Sequence, residues 1–108
     1  MLKNQYKNSS FQAEYKLFFA TLANKTRFKI VHILLNGPRS VTEIQQELQC
    51  DQSMISHNLK RLEQCSFVSV QRKGKQRIYS LNKETIDPLL KLMDRHVKKF
   101  CKNFCNKK

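Results

Sequence analysis

The chain has 108 residues, with 21 lysines and arginines against eight acids and a formal net charge of +13. That length supports one small domain, and no stretch is apolar over the ~20 residues a membrane-spanning helix needs. A field of this sign draws polyanions, nucleic acids first, and no segment pairs a basic face with a broad lipid-seeking one, so the expected partner is not a membrane.

Only two glycines and two prolines punctuate the chain, which favours long helices. Residues 1–12 read as a polar, mobile arm and 13–108 as a single domain. The arm lacks the apolar core of a secretory signal, so the expected location is cytoplasmic. Over 14–22, Tyr15, Phe18, Phe19 and Leu22 fall on one helical face. Asn24 is placed to cap the next helix, 25–35, whose apolar positions are Phe28, Val31, Ile33, Leu34 and Leu35. His32 lies among them as a partly buried structural residue. Asn36-Gly37-Pro38 ends this helix, because glycine accepts a left-handed cap and proline cannot continue it.

A helix pair follows. Val41, Ile44 and Leu48 share a face of a short helix over 41–48, with Ser40 and Glu43 placed as a capping box. Gln49-Cys50 makes a tight connection, and Asp51 is placed to cap a second helix over 52–64 that buries Ile55, Leu59 and Leu62. Its opposite face carries Gln52, Ser53, Ser56, His57 and Lys60. These are hydrogen-bonding side chains with one charge, the kind of surface a recognition helix presents to base edges in the major groove. Phe67, Val70, Ile78, Tyr79 and Leu81 are strand formers on either side of Gly74. Arg72, Lys73, Lys75 and Arg77 crowd around that glycine without an acid. Taken alone, the hairpin could be a surface element kept soluble by charge. Beside the helix pair, it reads as a wing that holds phosphates. The fold expected is mainly α with a two-stranded β wing, a winged helix-turn-helix in the order α-α-α-α-β-β-α.

Asp87 and Pro88 are suited to open a last helix. Leu89, Met93, Val97, Phe100 and Phe104 form one stripe along it, widened by Leu90, Leu92 and Cys101. No later element covers the stripe, so it folds back on the domain, meets a second copy, or both. A homodimer is the economical reading.

The four cysteines, Cys50, Cys65, Cys101 and Cys105, contain no CxxC pair, which argues against a zinc finger, and in a reducing compartment they form no disulfide framework. Cys50 and Cys65 bracket the recognition helix, roughly 20 Å apart at ~1.5 Å per residue, too far to share an ion within a subunit. Cys65 reads as a small buried hydrophobe. Cys101 and Cys105 are one turn apart on one face, amid Lys98, Lys99 and Lys102, which favour thiolate. Such a pair can grip a soft ion such as Zn(II), Cd(II), Cu(I) or As(III), with His96, Cys65 or a partner chain completing the site. The alternative is that Cys101 packs in an interface and Cys105 frays. No cofactor is required for the DNA-binding role.

Three segments together resemble the ArsR/SmtB-type winged-helix transcriptional regulators. Leu22-Ala23-Asn24-Lys25-Thr26-Arg27 resembles the family's LAxxTR helix start. Ser53-Met54-Ile55-Ser56-His57-Asn58-Leu59 resembles its SxxSxHL recognition helix, with His and Asn in shifted order. Lys73-Gly74-Lys75 through Tyr79 resembles its wing. The resemblance covers most of the chain, from about Tyr15 to Phe100. It implies a homodimer joined through the first and last helices, a palindromic operator in double-stranded DNA, and release from it on binding a metal ion, a metalloid or an oxidant. The chain departs from the family at the third-helix metal site, ELCVCDL, where Pro38-Arg39-Ser40-Val41-Thr42-Glu43-Ile44 carries hydroxyls in place of both thiols. On the last helix, Asp94 and His96 match the Asp-x-His half of the family's other site, but the second half would begin at Lys107. A repressor without a sensor and a nonspecific architectural DNA binder are the competing functions. An enzyme is disfavoured: the chain has no glycine-rich phosphate loop, no paired carboxylates in a plausible pocket and no Cys-His-Asn order with a family context.

Overall fold

The computed structural model describes residues 7–101. Helix α1 (Ser9–Ala23) opens on Asn8, whose Oδ1 accepts from the backbone N–H groups of Ser10 and Phe11 at 2.8 and 3.3 Å. Residues 9–12, assigned by sequence to the arm, are therefore its first turn. The apolar periodicity begins only at Tyr15, and a polar capped turn leaves no such signal. Helix α2 (Lys25–Leu34) starts as expected, with Asn24 Oδ1 accepting from Arg27 N–H at 3.0 Å. Gly37, at φ +135°, turns the chain where few other residues would.

Strand β1 (Arg39–Ser40) comes next, then α3 (Val41–Leu48), α4 (Gln52–Gln64), β2 (Val68–Lys73), β3 (Gln76–Leu81) and α5 (Ile86–His96), which continues as a π-helical turn, Val97–Cys101. The sheet is antiparallel in the order β1-β3-β2, with Ser40 opposite Ile78 and Val70 opposite Tyr79. The wing hairpin is thus joined by a third strand that the sequence did not announce. Two residues are too few to show a period, and they become a strand only by pairing with β3.

The capping box of α3 is complete. Ser40 Oγ accepts from Glu43 N–H at 3.1 Å, and Glu43 Oε1 accepts from Ser40 N–H at 2.8 Å. Gln49 takes a left-handed conformation, φ 55°, and so makes the turn into α4 tight. Two expected caps are corrected. Asp51 occupies the N-cap position of α4, but its side chain makes no capping bond. Asp87 lies inside α5, whose N-cap is Thr85; the Asp87 carboxylate instead pairs with Lys91 at 2.9 Å, one turn on. Asn82 Oδ1 organises that entry by accepting from Glu84 and Thr85 N–H.

One core joins the elements. Ile30, Val31 and Leu34 of α2 meet Ile44 of α3, Ile55, Leu59 and Leu62 of α4, Phe67, and Leu90 of α5. Phe18 of α1 lays its ring against Phe67 at 5.0 Å between centroids. Leu59 is fully buried where α4 seats on the core. Leu59→Ala therefore lowers stability by about 2–5 kcal/mol, read as a lower denaturation midpoint at unchanged slope.

The two end helices leave apolar surface uncovered. Of the aromatic face on α1, Leu22 is buried and Phe18 half-buried, but Tyr15 and Phe19 are exposed, Phe19 by 59%. On the last helix Leu92, Val97 and Phe100 are exposed, Phe100 by 64%. Singly exposed apolar residues are ordinary; here several lie on each of the two end helices.

Candidate nucleic-acid interface

The α3–α4 pair and the wing enclose a groove of about 620 Å³. Gln52, Ser56, His57 and Lys60 line it from α4, and Lys75, Gln76 and Arg77 from the wing. These α4 residues sit opposite Ile55, Leu59 and Leu62, so burial of the apolar stripe is what turns the polar face outward. The wing reaches the groove because β1 ties β3 to the start of α3.

Gly74, at φ 62°, makes the hairpin tip. Behind it Arg72 stands directly opposite Arg77 across the ladder, and Lys73 opposite Gln76. Like charges facing each other across strands oppose folding. An arrangement that folding disfavours and solvent alone sustains is suited to an external anion. Arg72, Lys73, Lys75 and Arg77 are all exposed. Arg72 and Lys73 project from the wing outside the groove, and Ser53 is exposed on α4 but also lies outside it.

Thr42, Gln76, Glu63 and Tyr79 also line the groove, and sequence reasoning missed them. Thr42 lies in the first turn of α3 and reads like any solvated residue there. Only the β1–β3 pairing, a contact between distant parts of the chain, brings it to the wing. Glu63 is the one acid on the lining, against Lys60, Lys75 and Arg77.

A directional lock seats α4. Arg27 donates from Nε to the Thr21 carbonyl at 2.8 Å, from Nη2 to the Ala20 carbonyl at 3.4 Å and from Nη1 to Asn58 Oδ1 at 3.0 Å. Asn58 is buried on α4 and donates in turn from Nδ2 to the Met54 carbonyl at 2.9 Å. One guanidinium thus ties α1, α2 and α4. Partial burial, then the nearby Arg61 guanidinium, hold Arg27 below its ordinary value, while Cys65 acts in the opposite sense.

The residues with ligand chemistry are spread out. His96 is exposed, with its ring 5.0 Å from that of Phe100, and Cys101 is half-buried at the end of the π-helical turn. Cys105 lies outside the described residues. Asp94, the acid of the Asp-x-His pattern, is engaged elsewhere: its Oδ1 meets His32 Nε2 at 3.0 Å, while His32 Nδ1 meets the Phe28 carbonyl at 2.9 Å. Cys65 packs against the core with its sulfur 3.5 Å from Thr21 Oγ1, and Cys50 Sγ donates to the Leu48 carbonyl. Among the described residues no three His, Cys, Asp or Glu side chains converge as a metal-binding set. No helix among them is long and apolar enough to cross a membrane.

Residues 24–70 match the family model of the bacterial regulatory proteins of the arsR family. A probable mercury resistance operon repressor from Streptomyces lividans is 33% identical over 75 residues, 69% of this chain and 60% of that protein's own length. The HTH-type transcriptional regulator NmtR from Mycobacterium tuberculosis is 31% identical over 83 residues, covering 77% of this chain and 69% of the relative. In fold, the chain is similar to a homodimeric winged helix-turn-helix DNA-binding domain from Mycobacterium bovis, with a TM-score of 0.79 at 22% identity, over 88% of each chain.

Proposed function

The chain belongs to the arsR family of bacterial regulatory proteins, and from that premise we propose that it is a homodimeric repressor that reads a palindromic operator in double-stranded DNA. The family is one of DNA-binding regulators, not enzymes. The observation that carries the reading is the groove, where the mixed polar face of α4 and the cations of the wing line one concave surface. In this reading Gln52, Ser53, Ser56, His57 and Lys60 enter the major groove, where hydrogen-bonding side chains distinguish base pairs. Arg72, Lys73, Lys75 and Arg77 hold flanking phosphates or the minor groove, where they supply affinity without sequence information. The uncovered apolar rows of α1 and α5 pair two subunits, which gives the operator its two-fold symmetry. The compartment is the cytoplasm.

Selection of duplexes from a random library tests this reading. Enrichment of an inverted repeat is expected, bound at one fixed salt concentration on the order of 10³-fold or more tighter than random duplex. Equal affinity for both would mark an architectural DNA binder and overturn the reading.

Release is assigned to Cys101, Cys105 and His96 as ligands for a soft ion, of the class Zn(II), Cd(II), Cu(I) or As(III). The support is chemical: thiolates suit soft ions. The Streptomyces relative is itself named for mercury resistance. A ligand on the dimer helix can change the angle between the two recognition helices, which must meet successive major grooves ~34 Å apart. Titration of the reduced protein with Cd(II) or Zn(II) is expected to lower operator affinity at least about fivefold, the low end of ordinary allosteric coupling. The Cys101→Ser, Cys105→Ser variant should lose that response while binding DNA normally. An identical response in the variant would show the pair to be structural, and no response in the parent would leave a repressor without a sensor.

A further inference from the structure

We propose that Arg27 and Asn58 are positioning residues for sequence reading: the guanidinium on α2 fixes the roll of α4 about its own axis through the Asn58 carboxamide, and so fixes where Ser56 and His57 meet the bases. The inference rests on the DNA-reading role given above. Neither residue lines the groove, so neither acts by touching DNA there.

The argument starts from what holds α4. Ile55, Leu59 and Leu62 are fully buried and attach it firmly to the core. Apolar burial is non-directional, however, and a helix can roll slightly on such a surface without exposing it. A side-chain tip lies ~5–6 Å from the helix axis, so a roll of about 10° moves it by about 1 Å. Hydrogen bonds to base edges tolerate only a few tenths of an ångström. Something directional must therefore set the roll.

The Arg27–Asn58 bond is the directional contact in place. It reaches α4 at Asn58, next to His57 and two residues after Ser56, and it is braced from behind by the Thr21 and Ala20 carbonyls. Asn58 itself is held by its bond to the Met54 carbonyl, one turn back. An asparagine is a weak helix former, and a buried amide needs both of its partners. Apolar burial of Ile55, Leu59 and Leu62 already attaches the helix, so what the amide adds, beyond satisfying Arg27, is direction.

The experiment uses the full chain and two duplexes of equal length, one selected by the wild type from a random library and one scrambled. Arg27→Gln and Asn58→Leu are compared with the wild type, singly and together, alongside thermal unfolding. Each single variant is expected to lower the ratio of selected to scrambled affinity on the order of tenfold, the worth of about one base contact. Affinity for the scrambled duplex and its salt dependence should not change. The double variant should be no worse than the poorer single one, because the pair acts as a unit. Asn58→Leu leaves the Arg27 Nη1 donor without its partner and is expected to unfold slightly earlier than the wild type. Both variants are compared at a temperature where each is folded, and either one carries the test if the other folds poorly. A folded variant that keeps the wild-type ratio overturns the proposal. So does an equal loss on both duplexes, which marks a merely structural role. A salt slope flatter by about one unit in Arg27→Gln also overturns it, since that marks a direct phosphate contact. A wild type that does not discriminate would fail the repressor reading first, and this inference with it.

Discussion

Replacing Lys75 and Arg77 together with glutamine weakens binding to every duplex alike and flattens the salt dependence by about two units per subunit, one for each lost phosphate contact. For a dimer the loss at physiological salt is on the order of 10²–10³-fold, because counterion release compounds over the four contacts. The direction follows from where the charges sit. Both residues line the groove, Lys75 in the turn of the hairpin and Arg77 on β3, and both are exposed and outside the core. Stability should stay the same or rise, since removing Arg77 also relieves its opposition to Arg72. The ratio between selected and random duplex should hold, because phosphates carry no sequence information. Electrophoretic or fluorescence titration at several salt concentrations reads both quantities. An unchanged slope would take the wing out of the interface.

Charging the exposed row on the last helix, by Val97→Glu with Phe100→Glu, is expected to leave the fold intact and separate the subunits. Neither side chain belongs to the core of one chain, since Val97 is 51% and Phe100 64% exposed. In a dimer each large apolar side chain buried contributes about 1.5–3 kcal/mol, and symmetry counts each twice. Losing even ~4 kcal/mol raises the dimer dissociation constant about 10³-fold. Sedimentation at micromolar concentration should show a dimer for the wild type and a monomer for the variant, and the variant's operator affinity should fall with dimerisation. A wild type that sediments as a monomer would contradict the assembly and leave a palindromic operator without its symmetric reader.

What the sequence made legible was whatever local chemistry decides. Helices α3 and α4 begin and end where the Ser40–Glu43 box and the apolar steps place them. The outward face of α4 follows from the inward one. The missed features share a cause, which is contact across the chain. Strand β1 exists because Arg39 and Ser40 pair with Tyr79 and Ile78. Thr42 joins the groove for the same reason. The Arg27–Asn58 bond spans two helices and has no periodic trace. Asp94 looked available as a ligand from its spacing to His96, yet His32, far back in the chain, holds it. Local rules also failed where two acceptable caps competed: Thr85 rather than Asp87 opens α5, because Asn82 already orders the preceding turn.

Methylation interference on the selected duplex tests the central claim most directly, that the outward face of α4 reads the major groove. The probe is a methyl group on guanine N7, which faces that groove. In the wild type, methylation should block binding in two segments about one helical turn apart, ~10 base pairs between centres. The Ser56→Ala, His57→Ala variant should lose sensitivity at particular guanines within both segments. The Lys75→Gln, Arg77→Gln variant should keep the whole pattern at weaker affinity. Wild-type binding that is indifferent to N7 methylation throughout the selected sequence would contradict the account.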